Sequence, residues 1–497
     1  MNTGRRTRTA AALALVIAAG LSGCAVAPED DWETTHEPAW TVEATLLSDP
    51  LIAGDVVLAY ASVGEGEEAM IAWDIDDGTE LWRQITLPGR TVRGVDHWVA
   101  ALEEDDGWQV SVLIPMSADA AVDSYSQVAI LDARTGESLA EPLAERGAWT
   151  ERPSVCGTDN RQFCVEGILE PNVNIFYDNR YVYSAEDPEF RIPDPADSGY
   201  FSGGYGLTDR LAVTDDDQLE YGEDGALMWA RAYEDVFGDG ATISGGWSWY
   251  DRESSADAPL VGVGSFHTEE DLSAPRELTS PFGDGTTVRL DRATGETLWS
   301  ADMETCELTD HTVRIHDGIV PLCRFASGEV TLSWDGDSVE NVAYANVDVD
   351  LVGVDVTTGQ TAWSVPLGDA GWDGREEDLP AVRYPTGDEH ILTTTADRGL
   401  AVIDVADGSV RELTDDQRVL CEGEMKMVEL TSIWDDPIFP LAAIVSLCDA
   451  DGERTDPNTI PTAAFAIAGY DLNEPMALNT PAGLSLYSPA APKTPQG

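Results

Sequence analysis

Short apolar runs separated by polar turns follow one another along the chain, and no amphipathic helix of convincing length interrupts them. One arrangement recurs: alternating apolar residues lead into a polar turn, a Gly supplies the turn's positive φ, and a second alternating segment closes on Trp. It reads Trp73-Asp74-Ile75-Asp76-Asp77-Gly78-Thr79-Glu80-Leu81-Trp82 and returns as Leu131-Asp132-Ala133-Arg134-Thr135-Gly136-Glu137-Ser138-Leu139. Further copies contain Asp291, Gly295 and Trp299; Asp355, Gly359 and Trp363; and Asp404 with Gly408. Weaker versions end at Gly225-Ala226-Leu227-Met228-Trp229 and begin at Gly469-Tyr470-Asp471-Leu472-Asn473. Each copy predicts a hairpin in which the Asp accepts hydrogen bonds from turn amides and the Trp lies between neighbouring sheets.

Other short strands precede several anchors, such as Asp55–Tyr60, Arg210–Val213 and His390–Thr394, so each unit is a small antiparallel sheet. Anchors 49 to 89 residues apart predict an all-β chain, a β-propeller whose radial repetition protects strand edges. A parallel β-helix has shorter repeats and no strand-turn-strand anchors. The 89-residue gap between Asp132 and Tyr221 predicts a degenerate blade, with strands around Cys156 to Val165 and a worn anchor near Asn174 to Ala185. Eight blades are favoured and seven are the fallback. The propeller is expected over 40–484, with Trp40 to Leu47 pairing with the last blade to seal the edge, and 485–497 forms a polar, disordered tail.

Residues 1–23 contain no acid; Arg5, Arg6 and Arg8 precede an apolar run from Ala10 to Leu21 that is too short to span a bilayer. This is an export signal. Leu21-Ser22-Gly23-Cys24 resembles the lipobox of bacterial lipoproteins, which implies cleavage before Cys24 and acylation of its thiol. Arg5-Arg6 leaves the export route open. Residues 24–39, polar and acidic after Cys24, read as a flexible tether.

The charge balance fits this address. The 497 residues carry 92 acidic and 28 basic side chains, a formal charge of −64, with 43% hydrophobic residues and 15 Trp. Removing 1–23 takes three Arg and no acid, leaving −67. So anionic a surface excludes nucleic-acid binding, and the apolar fraction excludes wholesale disorder. An anionic body gains nothing from anionic headgroups, so acyl chains must hold it at the membrane. The other six Cys fall into three local pairs, Cys156 with Cys164, Cys306 with Cys323, and Cys421 with Cys448; outside the cytoplasm these are expected disulfides, each stapling one blade. A metal site from Cys306, His311, His316 and Cys323 has the ligand types but not the zinc-finger spacing.

The D-x-x-T-G-x-x-x-W pattern of Asp291 to Trp299 and Asp355 to Trp363 resembles the repeat of the PQQ-like, quinoprotein-type β-propeller family, over about residues 40 to 480. That resemblance implies the fold; the family contains both quinoprotein dehydrogenases and non-catalytic propellers, including a lipoprotein subunit of an outer-membrane β-barrel assembly machinery. Its alcohol dehydrogenases carry two adjacent Cys beside the cofactor, and this chain has no Cys-Cys pair. Three cofactor carboxylates also need cationic partners, which are scarce here, so no pyrroloquinoline quinone is expected.

No G-x-S-x-G, Walker loop or H-E-x-x-H is present, the six His are scattered, and 92 carboxylates single out no acid–base pair. Calcium is the one ion the composition favours, through Asp74-Asp76-Asp77, Asp215-Asp216-Asp217 and Asp348-Asp350, although none matches an EF-hand. The expectation is a lipid-anchored extracytoplasmic propeller that binds or scaffolds an envelope protein or small ligand. The alternative is a divergent quinoprotein-type oxidoreductase or another propeller enzyme.

Overall fold

A computed structural model describes residues 32–64, 67–86, 99–104, 107–115, 126–140, 147–149, 153–156, 162–169, 179–186, 189, 205–206, 211–213, 218–223, 226–238, 248–250, 259–264, 277–281, 285–303, 315–335, 338–369, 387–396, 399–422, 430–431, 437–438, 444–455 and 459–489. Residues 1–31 with Cys24, and also Gly225 and Cys306, lie outside this set.

The chain is all-β, and its strand pairs are antiparallel throughout the described residues. Among the described residues two short helices, Tyr233–Phe237 and Thr462–Ile467, break the series. The first complete sheet is built from Thr45–Leu46, Leu51–Ala53, Val56–Gly64, Glu67–Asp74 and Glu80–Thr86. Ala100–Glu104 through Asn179–Tyr183 form one seven-stranded sheet. The long anchor gap is therefore filled by Ser154–Cys156, Gln162–Leu169 and Asn179–Tyr183, hydrogen-bonded into the preceding sheet through Trp149 opposite Gly167. Later sheets follow in chain order, and Trp40–Val42 pairs with Gly483–Tyr487 in the last, Trp40 opposite Leu486. The two ends of the chain thus share one sheet.

Packing between sheets explains why the strands are so apolar. In Val56–Gly64 and Glu67–Asp74, Leu58, Tyr60, Met70 and Ala72 face Val110, Val112, Ala129 and Leu131 of the next sheet. Val57, Ala59, Ala61 and Ile71 face Leu484 and Leu486 of the closing sheet on the other side. The same division holds farther along: Ile391 and Ile403 face one neighbour, Leu392 and Val402 the other. This is the face-to-face stacking of propeller blades, with the core distributed between sheets. It corrects the expected alternation at the strand before each turn. Met70 to Trp73 is buried without interruption because both faces are covered, and only the outer strand Glu80–Thr86 alternates with solvent.

Three boundaries differ from expectation. Ser485, placed in the tail, pairs with Thr41, and the two hydroxyls are 2.9 Å apart, so the last strand runs on to Tyr487. The described part of the tether, residues 32–39, lies against the body: Thr35–His36 pairs with Ile460–Pro461, and Thr34 O accepts bonds from Thr462 N (2.8 Å) and Oγ1 (3.0 Å). Gly469 to Asn473 is not a strand-turn-strand anchor; it follows the Thr462–Ile467 helix, and Gly469 abuts Gly387 so closely that a Cβ would meet Gly387 Cα at 2.3 Å.

Ile319–Asp335 and Ser338–Asp355 form a hairpin of 17- and 18-residue strands, about three times the usual length. Its base lies in a blade, and its distal part pairs with Glu277–Pro281. Between them the register slips at Phe325/Ser327 and Ser327/Glu329, where Ser327 Oγ donates to Asn346 O (3.0 Å) and Asn346 takes a φ of 55°. Bulges at this point re-aim the strands and let the hairpin leave the blade as an arm.

Candidate functional site

Five described turns share one construction. In the first, Asp74 N donates to Thr79 O (2.8 Å), Gly78 N donates to Asp74 O (2.9 Å), and Asp74 Oδ1 accepts from Asp76 N (2.9 Å). Asp132, Asp291, Asp355 and Asp404 repeat the backbone pair and accept from turn amides through Oδ1. Three residues after the anchor stands Thr or Asp, and the two do the same work. Thr135, Thr294 and Thr358 accept through Oγ1 from the amide two residues on, at 3.3 Å each, whereas Asp77 and Asp407 do so through Oδ1 at 2.9 and 2.8 Å.

Each turn also receives a Trp from the preceding sheet. Trp82 Nε1 donates to Ala133 O (3.0 Å), Trp229 to Arg292 O (2.8 Å), Trp299 to Val356 O (2.8 Å) and Trp363 to Val405 O (2.9 Å). In every case the acceptor follows the anchor Asp, and the indole lies on the anchor Gly. A Cβ on Gly136, Gly295, Gly359 or Gly408 would come within 2.6–2.7 Å of the ring. The Gly therefore serves both the turn, at φ between 69° and 71°, and the approach of the neighbouring Trp. A fifth lock was not singled out by sequence: Trp40 Nε1 donates to Ile75 O (2.8 Å) and lies over Gly78. Its position next to the chain's first strand was the available signal.

Arginines tie the same junctions. Arg134 reaches Asp74 Oδ2 (2.7 Å) and Asp55 Oδ2 (3.2 Å), Arg231 donates to Gly295 O (2.8 Å), and Arg289 donates to Val356 O (2.7 Å). Arg292 donates to Tyr221 OH (3.0 Å), Arg324 pairs with Asp350 (2.7 Å), Arg83 with Glu80 (2.6 Å), Arg411 lies over Trp32, and Arg418 donates to the carbonyls of Asp415 and Gln417. Eight described guanidiniums are thus committed to internal contacts. Among the described residues, these eight guanidiniums could receive the three carboxylates of a pyrroloquinoline quinone only by giving up such contacts. A calcium ion at Asp74 or Asp350 would likewise compete with Arg134 or Arg324. Among the described residues no group of three or more metal-ligating side chains occurs, and Asp215–Asp217 lie outside them.

Cys421 and Cys448 form a disulfide between neighbouring strands, with Cα atoms 5.8 Å apart. Cys164 and Cys323 are also disulfide-bonded. Cys164 lies on the strand that pairs with Ser154–Cys156. The oxidised Cys323 removes the thiolate that the alternative Cys306/His311/His316/Cys323 metal site required.

Two turn carboxylates, Asp355 and Asp77, titrate low. Asp355 is held below its ordinary range by the amide and then the hydroxyl of Thr358, with Arg289 adding to this, and Asp77 by Thr79. A carboxylate lowered in the folded state stabilises it above the unfolded pKa of about 3.9, and this is lost as pH falls through the lower folded value. Repulsion among the remaining carboxylates acts oppositely, because protonating them relieves it. The thermal midpoint is therefore expected to rise from pH 8 to about pH 5 and to fall below about pH 4. Asp355→Asn should soften that fall; a wild-type midpoint still rising at pH 3 would contradict the assignment.

The outer strands carry single exposed apolar side chains, Leu298 and Leu227 at 51% exposure and Met228 at 47%. No described helix is long and apolar enough to cross a membrane.

No protein-family model and no curated protein matches the chain. The structure is similar to that of BamB from Moraxella catarrhalis, at 12% identity over 92% of this chain and 100% of that one, with a TM-score of 0.31. It is similar to quinohemoprotein alcohol dehydrogenase from Comamonas testosteroni at 12% identity over 94% and 78%, TM-score 0.35. It is also similar to the beta-propeller domain of the Trilobed protease from Pyrococcus furiosus at 14% identity over 75% and 99%, TM-score 0.30.

Proposed function

We propose that this chain is a lipid-anchored, extracytoplasmic β-propeller of eight blades that acts as a non-catalytic binding or scaffold protein of the cell envelope. The observation that carries this reading is where the repeat chemistry is spent. The described anchor Asp, Gly and Trp residues build turns and locks, and Arg134, Arg231, Arg289 and Arg292 are spent tying neighbouring sheets together, so few cations are left to offset an acidic surface. Such a surface suits a basic partner. The blade number is supported by eight described sheets of three or more strands, counting the seven-stranded sheet once. Acylation of Cys24 would place the body at the membrane, and Cys24→Ala is expected to shift the protein to the soluble fraction.

Affinity purification of the tagged protein from solubilised envelope is expected to recover a basic protein or ligand, with capture falling about ten-fold between 0.05 and 0.5 M NaCl as screening shortens the field. Recovery of no partner, together with turnover of alcohols or sugars on adding quinone, would sink this reading. A cofactor absorbance on reconstitution with pyrroloquinoline quinone would then favour the divergent oxidoreductase.

A further inference from the structure

The N-terminal segment enters the body earlier than its composition suggests. Trp32 packs at the outer edge between the sheet of His390–Glu412 and that of Val419–Thr455, in a cluster with Leu392, Leu400, Val419 and Leu413. Arg411 covers its ring at 5.7 Å, Thr34 O accepts twice from Thr462, and Thr35–His36 is a paired strand. Residues 32–39 are therefore docked on the body, and no more than eight residues separate Cys24 from the point of docking.

This changes what an anchor at Cys24 can do. From Cys24 to Trp32 the chain can reach at most about 28 Å, whatever its conformation. A body of this size has a radius of gyration of about 22 Å and so a diameter near 60 Å. A tether running to residue 40 would double that reach, to about 56 Å. The shorter one does not reach halfway round.

We infer that the protein has a fixed membrane-facing side, the outer edge around Trp32 and Arg411, with a lipid bilayer as the partner of that surface. The inference rests on acylation of Cys24. The contact is a stand-off one: Glu33, Glu412, Asp415 and Asp416 are exposed at this edge and repel anionic headgroups over the Debye length, about 8 Å at physiological salt. The tether sets the upper limit of the gap and the carboxylates set the lower one. The opposite part of the ring, with Leu227 and Met228 exposed on its outer strand, is left to face away from the bilayer.

The test uses the full acylated protein in vesicles of phosphatidylcholine with phosphatidylglycerol and acceptor-labelled headgroups. A donor dye is introduced at Val410 or, three sheets away, at Leu227. Energy transfer is expected to be about three-fold higher from position 410, and the difference should vanish when about 20 Gly-Ser residues inserted after Ala27 extend the reach to about 100 Å. In anionic vesicles, lowering ionic strength should reduce transfer at position 410; in pure phosphatidylcholine it should not. Equal transfer from both positions, in protein that floats with vesicles and whose N-terminal peptide carries the acyl mass, would overturn the fixed orientation alone. An unmodified N-terminal peptide with no flotation would overturn the anchor as well.

Discussion

Trp363→Ala is expected to destabilise the protein by about 3 kcal/mol, the lower end of the range for truncating a large aromatic because the indole is partly buried, and to lower the unfolding midpoint by about 3 °C. The indole is held from both sides. A Cβ on Gly353, its cross-strand neighbour, would meet the ring at 2.1 Å, and one on Gly408, in the next blade's turn, at 2.6 Å. Its Nε1 satisfies Val405 O at 2.9 Å, which the truncation would leave without that donor. Trp363→Phe keeps most of the packing and loses that hydrogen bond, so its cost should be nearer 1 kcal/mol.

Gly408 distinguishes a lock from two independent features. Gly408→Ala incurs both the strain of a side chain at φ 71°, about 1–2 kcal/mol, and the collision with Trp363. In a Trp363→Ala background the collision partner is gone and only the strain remains. The double mutant should therefore be markedly more stable than the sum of the single effects requires, by on the order of 1–3 kcal/mol. Strict additivity in chemical denaturation would show that the Gly is there for the turn alone.

Why the turns were legible in the sequence, and much else was not, follows from these locks. Asp355, Thr358 and Gly359 each have a local task within five residues, so the pattern survives every repetition. The Trp was legible as a residue too large to leave exposed, although its acceptor lies 42 to 63 residues away. Long-range features left weaker marks. Trp40 fills the same role as Trp363, and the pairing of Trp40 to Leu47 with the last blade was expected from its place ahead of the first full sheet, but no local pattern gave its register opposite Leu484 and Leu486 or the bond to Ile75. The 17-residue strand of the arm escaped because an alternating run does not say where a blade ends and an extension begins. Gly469 to Asn473 misled for the opposite reason: Asn473 N does donate to Asp471 Oδ1, an anchor-like contact, but the preceding residues are a helix. Of the sites outside the locks, the Cys421–Cys448 pairing was legible from spacing, whereas the docking of Trp32 was hidden by its polar, acidic neighbours.

The seam between the two chain ends gives the other large effect. Gly483 has a φ of 113°, and an added Cβ would sit 2.3 Å from Val42 O and 2.8 Å from Ala44 N, so even Ala at this position must push Trp40–Val42 off the last strand. With that strand go the Thr41–Ser485 contact, the Trp40–Ile75 bond and the cover over Leu484 and Leu486. Losing the Trp40 lock alone should cost about 3 kcal/mol, since the ring is partly buried, against a total stability of about 5–15 kcal/mol for a folded domain. Gly483→Ala is thus expected to destabilise about as much as Trp363→Ala, and deletion of residues 32–44 to abolish cooperative unfolding. A misfolded deletion by itself would say little, so the decisive measurement is complementation. A synthetic peptide of residues 32–46 added to the deleted protein should restore a cooperative transition, and the same peptide with Trp40→Ala should not. A peptide that fails to restore it, alongside a Gly483→Ala protein melting within a degree or two of wild type, would mean that the first strand decorates the ring without closing it.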